Sequence, residues 1–158
     1  MSNDSEKKTY KHHPIQLLSI NVRELYIRVN YEPKDFEKEK QQPISLYTEH
    51  NPYDEKNHTI KVSLRLDYGM EDKPKTPFSM RIDLFGEFII DESKFSKEHI
   101  DDWAKKNAQF ILFPYLREHA YSLSIRCGLP PAMLPLTEVP TFSLGKKNQV
   151  EKNEKAEP

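Results

Sequence analysis

The sequence predicts an α+β fold: a four-stranded antiparallel sheet packed by one long C-terminal helix that is kinked at a proline. Three observations lead there. Residues 60–68, Ile-Lys-Val-Ser-Leu-Arg-Leu-Asp-Tyr, alternate apolar and polar side chains without a break, which is the period of a half-buried strand. Phe78, Met80, Ile82 and Leu84 repeat that alternation after a turn region marked by Pro74 and Pro77, so the two runs read as an antiparallel hairpin with a long loop. The apolar spacing then becomes helical and stops at Gly128-Leu129-Pro130-Pro131, a glycine and prolines where a helix ends.

The remaining elements follow in chain order. Leu18, Ile20 and Val22 fall on even positions, and Leu25, Ile27 and Val29 on odd ones. One β-bulge at Arg23-Glu24 would put both triplets on the core side. A shorter strand runs from Ile44 to Thr48 after Pro43. In the fourth strand the alternation shifts phase near Leu84-Phe85-Gly86, with a glycine at the shift; a bulge or a close backbone approach is expected there. Four such strands with hairpin-length connections make a sheet with one wet face. The helix begins at Ser96, a good N-cap, with Glu98 in the first turn and Phe95 and Ile100 placed as a hydrophobic staple. Pro114 interrupts the apolar run of Ile100, Trp103, Ala104, Ala108 and Ile111. A proline there removes a backbone donor and crowds the carbonyl of Phe110, so a kink or a break into two helices is expected at that point.

At 158 residues the expectation is one domain, spanning 13–144. Residues 1–12 and 145–158 are too polar to offset the entropy of ordering and are expected to be disordered tails. The chain is 36% hydrophobic and 31% charged, with a net charge of −1 and both signs interspersed, so no nucleic-acid footprint is expected. A lone cysteine, Cys127, permits no disulfide within the chain. The first thirteen residues hold no apolar run, and no stretch approaches a membrane span. A cytoplasmic location without membrane insertion is expected.

No motif for catalysis emerges. Gly69, Gly86, Gly128 and Gly145 are too far apart to cradle a phosphate. His12 and His13 are neighbours in a tail, and His99 and His119 lie twenty residues apart without ligands at metal spacing; no metal or other cofactor is expected. Cys127 sits near a helix C-terminus, which gives no help toward a thiolate. Asp101 and Asp102 read as charges that complement the helix dipole. Arg117-Glu118 reads either as a solvated pair or as a pair buried at a subunit contact.

What stands out instead is the segment Phe110–Phe142. From Phe110 to Leu116 the helix has no polar face, and a helix apolar on all sides must be covered on all sides. A sheet covers one side. The other is covered either by a second subunit or by the following loop folding back. The loop carries Leu129, Met133, Leu134, Leu136, Val139 and Phe142 among Pro130, Pro131, Pro135 and Pro140. Such adaptable apolar side chains on a stretch that cannot become helical suit a binder of unfolded polypeptides without sequence preference.

The segment Ile111–Pro131, ILFPYLREHAYSLSIRCGLPP, resembles the long helix of SecB-type protein-export chaperones. Gln41–Leu46 (QQPISL), the Ile60–Tyr68 strand and Phe85–Phe88 (FGEF) fall where that family's second, third and fourth strands fall, and the order β-β-β-β-α agrees. The similarity covers roughly residues 15–142, about four fifths of the chain. It implies an ATP-independent holdase rather than an enzyme. It implies a homotetramer, a dimer of dimers, that receives unfolded or pre-secretory clients and passes them to the SecA motor. On that resemblance Phe85 and Phe88 join the loop residues as client-binding positions. Phe110, Phe113, Tyr115, Leu116 and Tyr121 form the oligomer interface, and Glu24 keeps one position of an acidic motor-docking face. The chain departs from the pattern in three ways. The second helix after the loop is shortened or absent, Arg28 and Arg81 stand where acids belong, and the net charge is close to neutral. Arginine there weakens attraction to a motor surface that selects acidic partners. A second reading is therefore a SecB-like chaperone of a toxin–antitoxin system, uncoupled from the motor. A third, from another class, is a small α+β enzyme with its pocket between sheet and helix.

Overall fold

The computed structural model describes residues 9–31 and 44–136. Four strands, β1 (Ile15–Val29), β2 (Ser45–His50), β3 (Thr59–Tyr68) and β4 (Phe78–Ile90), precede a 3₁₀ turn at Lys97–His99 and two helical segments, α1 (Ile100–Lys106) and α2 (Ala108–Arg126). The strands form one antiparallel sheet in the order β1-β4-β3-β2. Residues 9–13 form no regular element. The other parts of the expected tails, and Gln41–Pro43 of the second-strand motif, lie outside the described residues.

The alternation in β3 translates directly into burial. Ile60, Val62, Leu64 and Leu66 are buried on the helix side, while Lys61, Ser63, Arg65 and Asp67 face the other way. In β4 the expected phase shift does not occur. Met80, Ile82, Leu84, Gly86, Phe88 and Ile90 all lie on the buried side, and Phe85 lies on the opposite one. Gly86 marks a close approach instead of a bulge. A β-carbon there would lie 2.6 Å from Leu112 Cδ2 and 3.0 Å from Leu17 Cδ1, so the missing side chain is what lets the helix sit on the sheet. The bulges are in β1, and there are two. Its register against β4 slips between Leu17 and Ser19 and again between Val22 and Glu24. The second slip is the one expected at Arg23-Glu24. Together they hold Ile20, Val22, Leu25, Ile27 and Val29 opposite the helix-side residues of β4.

The helical region is bent and divides into two segments, and the division does not fall at Pro114. That proline lies inside α2 and is exposed. The interruption is seven residues earlier, at Asn107, a weak helix former with widened angles (φ −113°, ψ −39°). There the bonding tightens, with Phe110 N–H donating to Asn107 O at 3.0 Å. On one side of the bend Trp103 packs edge-on against Phe88 at 5.0 Å; on the other Leu112 sits over Gly86. Ser96 takes the extended backbone of an N-cap but makes no side-chain cap bond. The turn before it is held by Asp91, whose carboxylate accepts from Ser93 Oγ (2.6 Å) and Ser93 N–H (3.1 Å) and pairs with Lys94 (2.9 Å). Ser93, and then Lys94, hold that carboxyl down at about 2. Because this lies below the value in an unfolded chain, about 3.9, its stabilisation is complete above about pH 4. It should fade as pH falls through about 2; in Asp91→Asn, thermal unfolding followed across that window should lose part of its pH dependence.

The C-terminal end of α2 forms as the sequence predicts. Gly128 is left-handed (φ +73°), its N–H donates to Ile125 O at 2.9 Å, and Leu129 N–H donates to Ser124 O at 3.0 Å, which is a Schellman motif. Nothing lies within 4 Å of a β-carbon at Gly128, so the backbone angle and not space requires glycine. Gly128→Ala is expected to cost about 1 kcal/mol, read as a lower urea midpoint at unchanged slope.

Candidate functional site

The helix covers the middle of the sheet and, among the described residues, leaves parts of β1 and β2 open. Segment α2 packs mainly over β3 and β4 and barely reaches β1. On the helix-side face of β1, Val22, Leu25 and Val29 are therefore exposed, and the bulge residue Leu18 is 54% exposed. At the opposite edge Leu46 of β2 is exposed as well. Sequence alternation read the β1 residues as core. Alternation assigns a face, but not whether anything lies over it.

The helix sorts its apolar residues into two sets. Leu112, Phe113, Leu116 and Ala120 point inward and are buried, while Ile111, Tyr115, Tyr121 and Ile125 are exposed. Of the residues expected at an oligomer interface, Phe113 and Leu116 thus belong to the core of the single chain, Phe110 is half-buried, and Tyr115 and Tyr121 face outward.

The loop beyond the helix does both things that were open to it. Ser124, fully buried, donates through Oγ to Tyr121 O (2.8 Å) and accepts from Ala132 N–H (2.8 Å). That pins the loop to the helix, and Leu129 and Leu134 are buried. Met133 is 69% and Leu136 81% exposed. Between loop and helix runs an open groove of about 290 Å³ lined by Pro114, Arg117, Glu118, Tyr121, Met133 and Leu134. Nothing in the sequence singled out Ser124; a polar residue in the buried row of a helix was the available signal. Glu118 is exposed and accepts from Ser122 Oγ at 2.6 Å.

Of the other expected client-binding positions, Phe88 is fully buried and presents no surface to a ligand. Phe85 lies on the outer face of the sheet, with the Arg23 guanidinium 4.9 Å and the Lys61 ammonium 6.0 Å from its ring centre. Val139 and Phe142 lie outside the described residues.

That outer face is a balanced charge lattice. Arg81 donates to both oxygens of Asp67 at 2.8 and 2.9 Å and lies 4.0 Å from Glu24. The hydrogen bond to Asp67 is the main reason its guanidinium holds its proton more tightly than usual. Arg65 lies 3.5 Å from Asp67 and stacks on Tyr47, and Arg23 lies 3.9 Å from Asp83. The cation at Arg81 is therefore largely neutralised in place, whereas Arg28 is exposed beside Asn30. Glu24 is exposed on the same face.

One polar cluster was not legible in the sequence. Glu92 accepts from the Tyr53 hydroxyl at 2.7 Å, lies 3.0 Å from His58 Nδ1 and 3.6 Å from Lys97 Nζ. It fastens the β2–β3 turn to the start of the helical region. Burial first, and then Glu92, pushes the Tyr53 hydroxyl well above the usual phenol value; Tyr53 first, and then His58, holds Glu92 below the usual carboxylate value. Among the described residues no group of His, Cys, Asp or Glu side chains is placed to hold a metal ion, and no helix is long and apolar enough to cross a membrane.

A sheet crossed by one bent helix leaves, among the described residues, apolar strips open at its margins, along the helix and in the loop beyond. The chain belongs to the SecB family: the family model described as preprotein translocase subunit SecB matches residues 8–141. Membership supports a chaperone function. Among solved structures, the Mycobacterium tuberculosis SecB-like chaperone Rv1957, in complex with a ChAD peptide from the antitoxin Rv1956 HigA1, is similar over 78% of this chain and 91% of that one, at 20% identity and a TM-score of 0.56. A protein of unknown function from Streptococcus agalactiae aligns over 77% of this chain and 97% of its own at 12% identity, with a TM-score of 0.43. No curated protein matches the sequence.

Proposed function

We propose that this protein is an ATP-independent holdase that keeps unfolded or pre-secretory polypeptides from aggregating in the cytoplasm, and that it works as a homotetramer, a dimer of dimers. The observation that carries the proposal is the exposed apolar surface of Val22, Leu25, Val29, Met133 and Leu136 on a chain of the SecB family. Val139 and Phe142 follow those loop residues in the sequence. An unfolded client offers the same kind of apolar side chain, and several weak contacts on one assembly raise avidity by about 10² or more. Holding needs only exchange of apolar surface with water, so no nucleotide enters the scheme.

A second reading has its own support. Arg81 is locked to Asp67 on the face where Glu24 would dock a motor, which leaves little net negative potential to attract a SecA surface. A chaperone guarding the antitoxin of a toxin–antitoxin pair needs no such face. The test has two arms. Aggregation of a chemically denatured protein is followed by light scattering without nucleotide, and suppression at equimolar tetramer is expected; full aggregation would defeat both readings. Binding to purified SecA is then measured, and tight docking would select the export reading over the antitoxin one.

A further inference from the structure

The loop beyond the helix is tied down at one residue, Ser124, and we propose that this side chain is a positioning residue of the holding surface. It fixes the register of the loop and so keeps Met133 on the outward side, where a client meets it. The inference rests on the holdase reading and assigns one determinant of what that surface presents. Among the described residues, both hydrogen bonds that tie residues 129–136 to the helix end on Ser124. Its carbonyl accepts from Leu129 N–H at 3.0 Å, and its hydroxyl accepts from Ala132 N–H at 2.8 Å. The hydroxyl is fully buried and gives its own proton to Tyr121 O at 2.8 Å. Pro130, Pro131 and Pro135 bring no amide hydrogen to the loop.

Beyond Ala132 neighbouring side chains take opposite sides. Met133 is exposed and lines the groove with Pro114 and Tyr121, while Leu134 is buried. Apolar burial does not enforce this choice. Methionine and leucine are close in volume and exchange in cores at small cost, so a loop slipped by one residue could bury Met133 in place of Leu134. The hydrogen bond excludes that register. It would bring Pro131 to the position of Ala132, and a proline has no N–H to give to Ser124 Oγ. A slip the other way would set Pro135 in the buried place and turn Leu134 out to water, which loses apolar burial. Ser124 and Pro131 together leave one register, the one that presents a flexible thioether chain to a client.

Oxidation by hydrogen peroxide reads the register directly on the full chain. An exposed thioether takes up one oxygen atom and water leaves. Met80, 1% exposed, is the internal control for unfolding, and peptide mass mapping gives the rate at Met133. In Ser124→Ala neither register has the bond, and in Pro131→Ala both have it. The two registers then become comparable in population, so Met133 should oxidise about half as fast as in the parent protein. Pro135→Ala loosens the same loop without either change and should leave the rate as it is. A contact that merely fastened the loop would give the opposite sign, because a looser loop exposes Met133 further.

Reduced, carboxymethylated α-lactalbumin serves as the permanently unfolded client. Its affinity should fall about twofold in Ser124→Ala and in Pro131→Ala, because about half of the molecules then present Met133, and should be unchanged in Pro135→Ala. Oxidation of Met133 at the parent rate or faster in both variants would overturn the inference and leave the holdase reading standing. Slower oxidation with unchanged client affinity would overturn it too, since the register would not matter to holding. If Ser124→Ala also speeds oxidation of Met80, Pro131→Ala, a change at an exposed site, decides by the same two measurements. A parent protein that binds no client would remove the holdase reading and this role with it.

Discussion

Phe88→Ala is expected to cost about 3–5 kcal/mol, the range for deleting a fully buried aromatic ring. Phe88 has no exposed surface, meets Trp103 edge-on at 5.0 Å, and stands between Leu17 and Ile60 in the sheet register. The cavity would open where the helix is fastened to the sheet, so collapse around it would require the helix to move. Domains of this size are stable by about 5–15 kcal/mol, so the variant should lose a large share of its stability. Phe85→Ala, three residues away, is the control. That ring lies on the outer face between Arg23 and Lys61, and its loss should cost about 1 kcal/mol. Urea denaturation of both variants at one fixed protein concentration distinguishes them; equal midpoints would mean that Phe88 is not the anchor of the helix.

The contrast between those two phenylalanines also shows what the sequence could and could not reveal. The β3 alternation and the glycine stop at Gly128 were legible because each is set by a handful of neighbouring residues: a two-residue period, and one left-handed angle. Resemblance put Phe85 and Phe88 together by their place in FGEF, yet they point to opposite faces, one onto Trp103 and one into a charge lattice. Which of them a ligand could touch depends on where the helix lies. The same is true of Val22 and Leu25, whose pattern is that of core residues and whose exposure follows from a helix that stops short of β1. Pro114 marked a break that falls elsewhere: α2 carries the proline in its interior, and the helical region divides at Asn107. The Tyr53–His58–Glu92 cluster joins residues up to 39 positions apart, and no local pattern announces such a meeting.

Placing aspartate at both Ile111 and Tyr115 is expected to break the assembly while sparing the fold. Ile111, Tyr115 and Ile125 recur at helical spacing on one side of α2 and are exposed, while Leu112, Leu116 and Ala120 on the other side are buried against the sheet. An apolar stripe on the side away from the sheet needs a second layer to cover it, and in the proposed tetramer that layer is another copy of the chain. In the isolated chain the two substitutions touch water, so they should change stability by less than about 0.5 kcal/mol each. At a contact between copies each would bury a carboxylate without a partner, at about 3–5 kcal/mol, which weakens self-association by a factor of about 10² or more per site. Light scattering coupled to size-exclusion chromatography should show the mass falling below that of the tetramer, with a circular dichroism spectrum like that of the parent protein. Holding should weaken with it, because a client long enough to span several subunits loses the linked contacts that give avidity. A full-mass tetramer carrying both aspartates would mean that copies meet elsewhere, and the open helix-side strip of Val22, Leu25 and Val29 would be the next surface to test.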